Sequence, residues 1–299
     1  MIKIVVIGSN EPLGIHIVAN LEKDKEILVI PLTDRMLNIS NFNDTRMYFE
    51  KIKPKVVINC IEYNLVDKAQ VEPRKTFLLN KTGPSHLAVI CKAFNITLIH
   101  FSTDYIFGKG GGAHRSYTEQ DQPNPPNVYG ISKFEGEEEI RNTLREHLIF
   151  RTSWLFDSIG TNFVKTIVDL IQAHNDLRVV DDQYGNPTWV KDVADMVEIV
   201  CKKISNKEEI SWGTYHYCGK DYISRYHFVL EIIEQISKMK KIHIPIVTPI
   251  SSQEYPLPAK RPYWSVLDCT KFTNTFGIDV KDWKIGLHSV LEDLVLRSK

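Results

Sequence analysis

Tyr129 and Lys133 stand four residues apart, and Ser102 and Thr103 close an apolar run 26 residues before the tyrosine, counting from Thr103. These side chains could do chemistry together. A phenol can give a proton, an ammonium beside it can make it more acidic, and a hydroxyl can hold a carbonyl oxygen in place. Reduction of a ketone by a nicotinamide hydride needs those parts, because it leaves a developing alkoxide while the cofactor carries the hydride. A free tyrosine titrates near ~10, too high to exchange protons readily at neutrality. A lysine ammonium within a few ångströms is expected to lower that by roughly 1–3 pH units, and the same ammonium can hold the nicotinamide ribose hydroxyls. Thr103, or Ser102 beside it, is expected to donate to the carbonyl and align it for hydride attack.

Spacing alone does not single out this pair, since Tyr105 and Lys109 repeat it. Context separates them. Tyr105 leads into Gly108, Gly110, Gly111 and Gly112, so Lys109 falls in a loop. Tyr129 follows Pro123, Pro125 and Pro126 and opens a stretch that reads as a helix to about Glu146. Positions i and i+4 of a helix share a face, so Tyr129 and Lys133 can converge on one ligand.

The elements that must position them alternate. Strands are expected at Ile2 to Ile7, Glu26 to Leu32, Val56 to Cys60, Thr97 to Phe101 and Leu148 to Arg151. Helices are expected at Leu13 to Leu21, Asn43 to Ile52, Pro73 to Phe94 and from Tyr129. Apolar strands separated by helices predict a parallel sheet covered on both faces, an α/β doubly wound fold of the Rossmann type. Past Arg151 the pattern changes, with helices at Asn162 to Ala173, Asp192 to Lys203 and Arg225 to Met239. Short strands are expected there at Leu177 to Val180 and Trp212 to Cys218, and an ordered loop over a site at Ile244 to Lys260. The expected division is a dinucleotide-binding domain over 1–150 with a returning segment around 189–218. A smaller α/β substrate domain then takes 151–188 and 219–299.

Gly8-Ser9-Asn10-Glu11-Pro12-Leu13-Gly14 lies between the first strand and first helix, where such a fold sets backbone N–H groups and a helix N-terminus against a pyrophosphate. Glu11 takes the place of a middle glycine, where a carboxylate repels phosphate unless it turns away, and Pro12 removes a donor. A phosphate loop and a bare strand–helix turn both stay open. Asp34-Arg35 ends the second strand. Asp34 favours the free 2′-hydroxyl of NAD and Arg35 the 2′-phosphate of NADP, so the coenzyme is NADPH or NADH, undecided.

Equal counts of 37 acidic and 37 basic residues give no electrostatic case for nucleic acid or an anionic membrane. Apolar runs are strand-length, short of a membrane span, and the start lacks the plan of a signal peptide. The five cysteines form no C-x-x-C pair, which reads as free thiols in a cytoplasmic protein. No metal site is expected.

Ser102-Thr103-Asp104-Tyr105-Ile106-Phe107, Pro126-Asn127-Val128-Tyr129-Gly130-Ile131-Ser132-Lys133 and Arg151-Thr152-Ser153-Trp154 closely resemble the dTDP-4-dehydrorhamnose reductase family of extended short-chain dehydrogenase/reductases. Val66-Asp67-Lys68-Ala69, Asp182-Gln183-Tyr184-Gly185-Asn186-Pro187-Thr188 and Ala259-Lys260-Arg261-Pro262 extend the likeness in the family's order over essentially the full length. The resemblance implies reduction of the 4-keto group of a nucleotide-linked 6-deoxy-hexulose. It places Thr103, Tyr129 and Lys133 on the catalytic positions. It implies cofactor contacts at Gly8, Asn10, Glu11, Pro12, Leu13, Asp34, Arg35, Asn38, Ile39, Cys60, Ile61, Tyr63 and Ser102, beside Tyr129 and Lys133. It implies substrate contacts at Thr103, Asp104, Tyr105, Trp154, Asn162, Gln183 and Arg261, the last suited to a diphosphate. A nucleotide sugar is the expected partner, and a homodimer is left open.

There are departures. Glu11 replaces a glycine, and Asn59-Cys60-Ile61-Glu62 stands where the family usually has Asn or His and then small alanines beside the cofactor. Asn38 takes a position often held by aspartate, and His16 one where some members carry a magnesium-binding glutamate. An alternative from another class is therefore a non-catalytic subunit resembling the regulatory β subunit of methionine adenosyltransferase, suggested by Pro187 to Ala194 and Leu267 to Lys271. Another is a reductase of a different nucleotide sugar, such as a UDP-linked one.

Overall fold

A computed structural model describes residues 1–109 and 115–297; Gly110, Gly111 and Gly112 of the expected loop lie outside the described residues. The chain runs β1 (Ile2–Ile7), α1 (Pro12–Leu21), β2 (Ile27–Leu32), α2 (Phe42–Ile52), β3 (Val56–Asn59), α3 (Val66–Val71), α4 (Pro73–Phe77), a π-helical turn (Leu78–Thr82), α5 (Gly83–Phe94), β4 (Thr97–Thr103), α6 (Val128–Thr143) and β5 (His147–Thr152). It continues through β6 (Leu155–Phe156), α7 (Phe163–Ala173), β7 (Asp176–Val180), β8 (Tyr184–Gly185), β9 (Thr188–Trp189), α8 (Val190–Ser205), β10 (Gly213–His216), β11 (Ile223–Ser224), α9 (Arg225–Met239), β12 (Ile246–Ile250), α10 (Thr270–Phe276) and α11 (Trp283–Arg297).

β10, β5, β4, β3, β1 and β2 lie side by side in that order, all parallel. Successive residues of each strand face opposite sides, and both sides are apolar. Ile4, Val6, Ile58, Ile99 and Phe150 pack with α1, α8 and α10, while Val5, Ile7, Val57, Leu98 and Ile149 pack with α2, α5 and α6. That double burial is why these strands read as continuous hydrophobic runs rather than alternating ones. From β1 the chain steps outward to β2 and then returns to the other side of β1 as β3. The order therefore reverses between β1 and β3, and ligands of such sheets bind in the crevice at the strands' carboxyl ends there.

A separate apolar core gathers Phe156 with residues of α7, β7, α9 and α11. The expected loop over Ile244 to Lys260 is here partly a strand, since β12 pairs in parallel with β7 and sets Pro249 opposite Val179. β12 has a partner on one side only, so its proline is tolerated at an edge.

The long helix expected from Pro73 to Phe94 is also interrupted. Pro84, in the first turn of α5, has no N–H to donate, and the turn before it widens to a π geometry. All five cysteines are free thiols, and no helix among the described residues is long and apolar enough to cross a membrane.

Candidate active site

α6 is capped by Asn127, whose side chain accepts from the Gly130 amide at 2.9 Å. Tyr129, Ser132, Lys133, Gly136, Glu137 and Ile140 fall on its inward stripe and are buried. Such a stripe is normally apolar, whereas this one carries a phenol, an ammonium and a carboxylate, each satisfied from another element. Lys133 Nζ donates to the Phe101 carbonyl of β4 at 2.7 Å. Glu137 receives the Arg151 guanidinium of β5. Ser132 Oγ accepts from Asn80 of the π turn at 3.0 Å. Asn80 also receives the Tyr63 amide at 2.7 Å and donates to the Tyr63 carbonyl at 3.1 Å. The segment after β3 is thereby fastened against α6.

That segment brings in Glu62. Its Oε2 accepts from Tyr129 Oη at 3.1 Å and lies 3.0 Å from Lys133 Nζ. The phenol is consequently not acidified, contrary to the expectation from the Tyr–Lys pairing. Burial first, and then the Glu62 carboxylate, push Tyr129 well above its usual value near 10, with a smaller opposing effect of Thr103. An acceptor at the phenol favours its protonated form, and the ammonium's charge is shared with a carboxylate. Residue order alone marks Glu62 only as part of a departure beside the cofactor and gives it no role.

Thr103 ends β4 with its Oγ1 receiving the Tyr105 amide at 3.2 Å and donating to Asp104 Oδ1 at 3.2 Å. Asp104 Oδ2 accepts from Ser265 Oγ at 2.5 Å. Burial pushes the Asp104 carboxyl up to about 6, opposed by Ser265 and Arg225. The Tyr105 and Tyr129 rings meet edge to face at 5.9 Å.

Beyond them Arg225, the first residue of α9, sets its guanidinium carbon over Trp154 at 3.4 Å from the ring centroid and 4.5 Å from that of Phe163. Trp154 takes a left-handed backbone (φ 42), which is uncommon for a large side chain. Gly185 makes room for its indole, since a Cβ there would sit 2.5 Å from the ring. A cation at a helix N-terminus opposes the macrodipole. This local misfit at Arg225 is the signal that the sequence carries for it.

One cavity of about 540 Å³ joins these parts. Its walls include Glu11, Pro12, Leu13, Cys60, Ile61, Glu62, Ser102, Thr103, Asp104, Tyr105, Tyr129, Lys133, Trp154, Asn162 and Arg225. It opens at the carboxyl ends of β3, β4 and β5, beside the N-terminus of α1.

The sequence matches, over residues 2–296, the family described as the RmlD substrate binding domain. A dTDP-4-dehydrorhamnose reductase of Aggregatibacter actinomycetemcomitans is 34% identical over 291 residues, 97% of this chain and 98% of that protein. The chain belongs to the dTDP-4-dehydrorhamnose reductase family. Among solved structures, the Clostridium acetobutylicum dTDP-4-dehydrorhamnose reductase superposes with a TM-score of 0.89 at 36% identity, covering 98% of this chain and 99% of that one. The Bacillus anthracis dTDP-4-dehydrorhamnose reductase, in complex with NADP, gives 0.86 at 29% identity over 98% and 99% of the two chains.

Against the cavity of this family member, the remaining candidate residues fall in different places. Gly8 turns the chain after β1 at φ +80. Glu11 stands at the N-cap of α1 without a capping bond, and burial followed by Glu62 and Asp34 pushes its carboxyl up. Asn10 reaches Asp34 at 3.4 Å, Arg35 and Asn38 are exposed, and Ile39 is buried against Gly83. Tyr63 bonds through its hydroxyl to Glu72 at 2.9 Å. Asn162 lines the cavity but spends its side chain capping α7 and donating to the Asp157 carbonyl. Gln183 binds Ser252 at 2.9 Å. Arg261 is held bidentately by Asp67 at 2.5 and 2.6 Å. These last two lie outside the cavity wall. His16 sits 2.8 Å from Asp157.

Proposed function

We propose that this chain catalyses the NADPH- or NADH-dependent reduction of the 4-keto group of a nucleotide-linked 6-deoxy-hexulose, converting dTDP-4-dehydrorhamnose to dTDP-L-rhamnose. The observation that carries the reading is the meeting of a threonine hydroxyl, a tyrosine phenol and a lysine ammonium in one cavity at the sheet's switch point. Supporting the reductase over the regulatory-subunit alternative are full-length relatives that are reductases.

The cavity suits a dinucleotide: it runs from the N-terminus of α1 past Cys60 and Ile61 to the buried ammonium of Lys133. Pro12 and Leu13 at the helix end, Cys60 and Ile61 after β3, and Tyr129 with Lys133 would hold it. A reduced nicotinamide supplies the hydride when bound. Tyr129 Oη gives its proton to the oxygen of the reduced carbonyl. The Lys133 ammonium, anchored by the Phe101 carbonyl, then stabilises the phenolate left behind. Thr103 can turn its hydroxyl from Asp104 to that oxygen and hold it in line.

Asp104 keeps Thr103 in position, and Trp154 with Arg225 forms the wall where the sugar nucleotide lies. In this reading 1–150 with the returning segment 189–218, which supplies β10 to the large sheet, serves the cofactor. The segments 151–188 and 219–299 serve the sugar. Asp34 and Arg35 leave the choice between NADH and NADPH to a direct comparison.

Replacement of Tyr129 by phenylalanine tests the assignment. Turnover, followed as loss of nicotinamide absorbance with the keto-sugar nucleotide, should fall at least roughly 10²–10⁴-fold, with cofactor affinity nearly unchanged. Retained turnover would remove Tyr129 as the proton donor.

A further inference from the structure

The position of Glu62 has a consequence for cofactor binding. One carboxylate oxygen collects both groups of the catalytic pair, at 3.1 Å from Tyr129 Oη and 3.0 Å from Lys133 Nζ. Ribose hydroxyls of a nicotinamide nucleotide would need those same two partners. Lys133 is only 1% exposed and is also bonded to the Phe101 carbonyl, so it cannot follow a ligand outward. Nor can the backbone at Glu62 easily shift, because Asn80 clamps both the amide and the carbonyl of the next residue. The Glu62 side chain is 25% exposed and lines the cavity, so rotation about its own bonds is the available movement.

We propose that Glu62 competes with the nicotinamide ribose for Tyr129 and Lys133, so that cofactor entry requires this carboxylate to rotate out of the catalytic pair. The inference rests on the nicotinamide-dependent reading above. It makes Glu62 a positioning residue that occupies the phenol and pairs with the ammonium until the ribose replaces it. Rotation frees Tyr129 for a carbonyl as well.

The test is a binding titration of the full chain and of Glu62→Ala and Glu62→Gln, using NADPH, NADH and ADP. ADP carries the adenosine and diphosphate but no nicotinamide ribose. Binding is read by nicotinamide fluorescence, and by calorimetry for ADP. Glu62→Ala should bind NADPH or NADH roughly ten- to a hundredfold more tightly, the equivalent of one charge-assisted hydrogen bond. Glu62→Gln should gain less, because its amide oxygen still accepts from Lys133, and ADP affinity should change by no more than about twofold. An equal gain for ADP would make the effect a general charge repulsion and overturn the competition. Weaker nicotinamide binding to Glu62→Ala would show that the carboxylate supports the ribose, which also overturns it. If the unaltered chain and both variants bind neither NADPH nor NADH, the nicotinamide reading itself falls, and this inference with it.

Discussion

Replacing Glu137 by glutamine should cost this protein about 3–5 kcal/mol of folding stability. Glu137 is fully buried one turn beyond Lys133 on α6, and Arg151 of β5 is 2% exposed. The carboxylate takes Arg151 Nε at 3.0 Å and Nη2 at 2.7 Å, and Arg141 Nη1 at 2.8 Å. Burial alone would raise the carboxyl, yet Arg151 and then Arg141 hold it down at about 2, against an ordinary 4.5. That difference corresponds to roughly 3 kcal/mol of preference for the folded state, consistent with the loss of one partner from a buried pair. Glutamine fits the space but leaves Arg151 uncompensated.

The sign of the pH dependence follows. A depressed carboxyl contributes fully above its unfolded value and loses that contribution as the pH falls through the folded one, here from 4.5 down to about 2. His216, kept neutral chiefly by burial and pushed down to about 3, lowers stability below its ordinary 6.5 in both proteins. Glu137 opposes burial and Arg151 at His216, holding it up, so the gap between the two proteins reports Glu137 together with its effect on His216. Urea unfolding, followed by circular dichroism over a pH series, should show a constant gap above about pH 5 that narrows below it. A neutral-pH loss under about 1 kcal/mol would place the pair among solvated ion pairs and refute the reasoning. So would a gap that ignores pH. Glu137→Leu combined with Arg151→Leu should recover much of the loss.

Two further substitutions probe the cavity. Lys133→Met should weaken turnover and nicotinamide affinity together, measured by steady-state rates and fluorescence titration; an effect on neither would place the lysine outside the site. Arg225→Leu should raise KM for the nucleotide sugar by roughly ten- to a hundredfold, with kcat and cofactor affinity little changed. Arg225→Lys should recover little of that loss, because a compact ammonium lacks the planar guanidinium's extent over Trp154 and Phe163. An unchanged KM in the leucine variant would leave Arg225 a packing residue.

Much of this architecture was determined by the residue order itself. Val56 to Ile58 and their counterparts in the other strands carry apolar side chains on both faces, and only a sheet covered on both sides can bury them. Tyr129 and Lys133 share a face because a helix repeats every ~3.6 residues, and Thr103 stands at a strand end where that helix can reach. The π turn before Gly83 and the strand at Ile246 were less legible: Pro84 removes a donor there, but the turn also packs its Asn80 carbonyl closely against Gly136 of α6, and the strand depends on an edge partner.

What the tertiary structure alone decided is the electrical state of the site. Glu62 is 67 residues from Tyr129, and Arg261 is 194 residues from the Asp67 that holds it. Periodicity encodes which face of an element is buried, but not which charge from a distant element will stand opposite. That choice is made where strands end together at the switch point, and here it set a carboxylate on the catalytic pair and a guanidinium on Trp154.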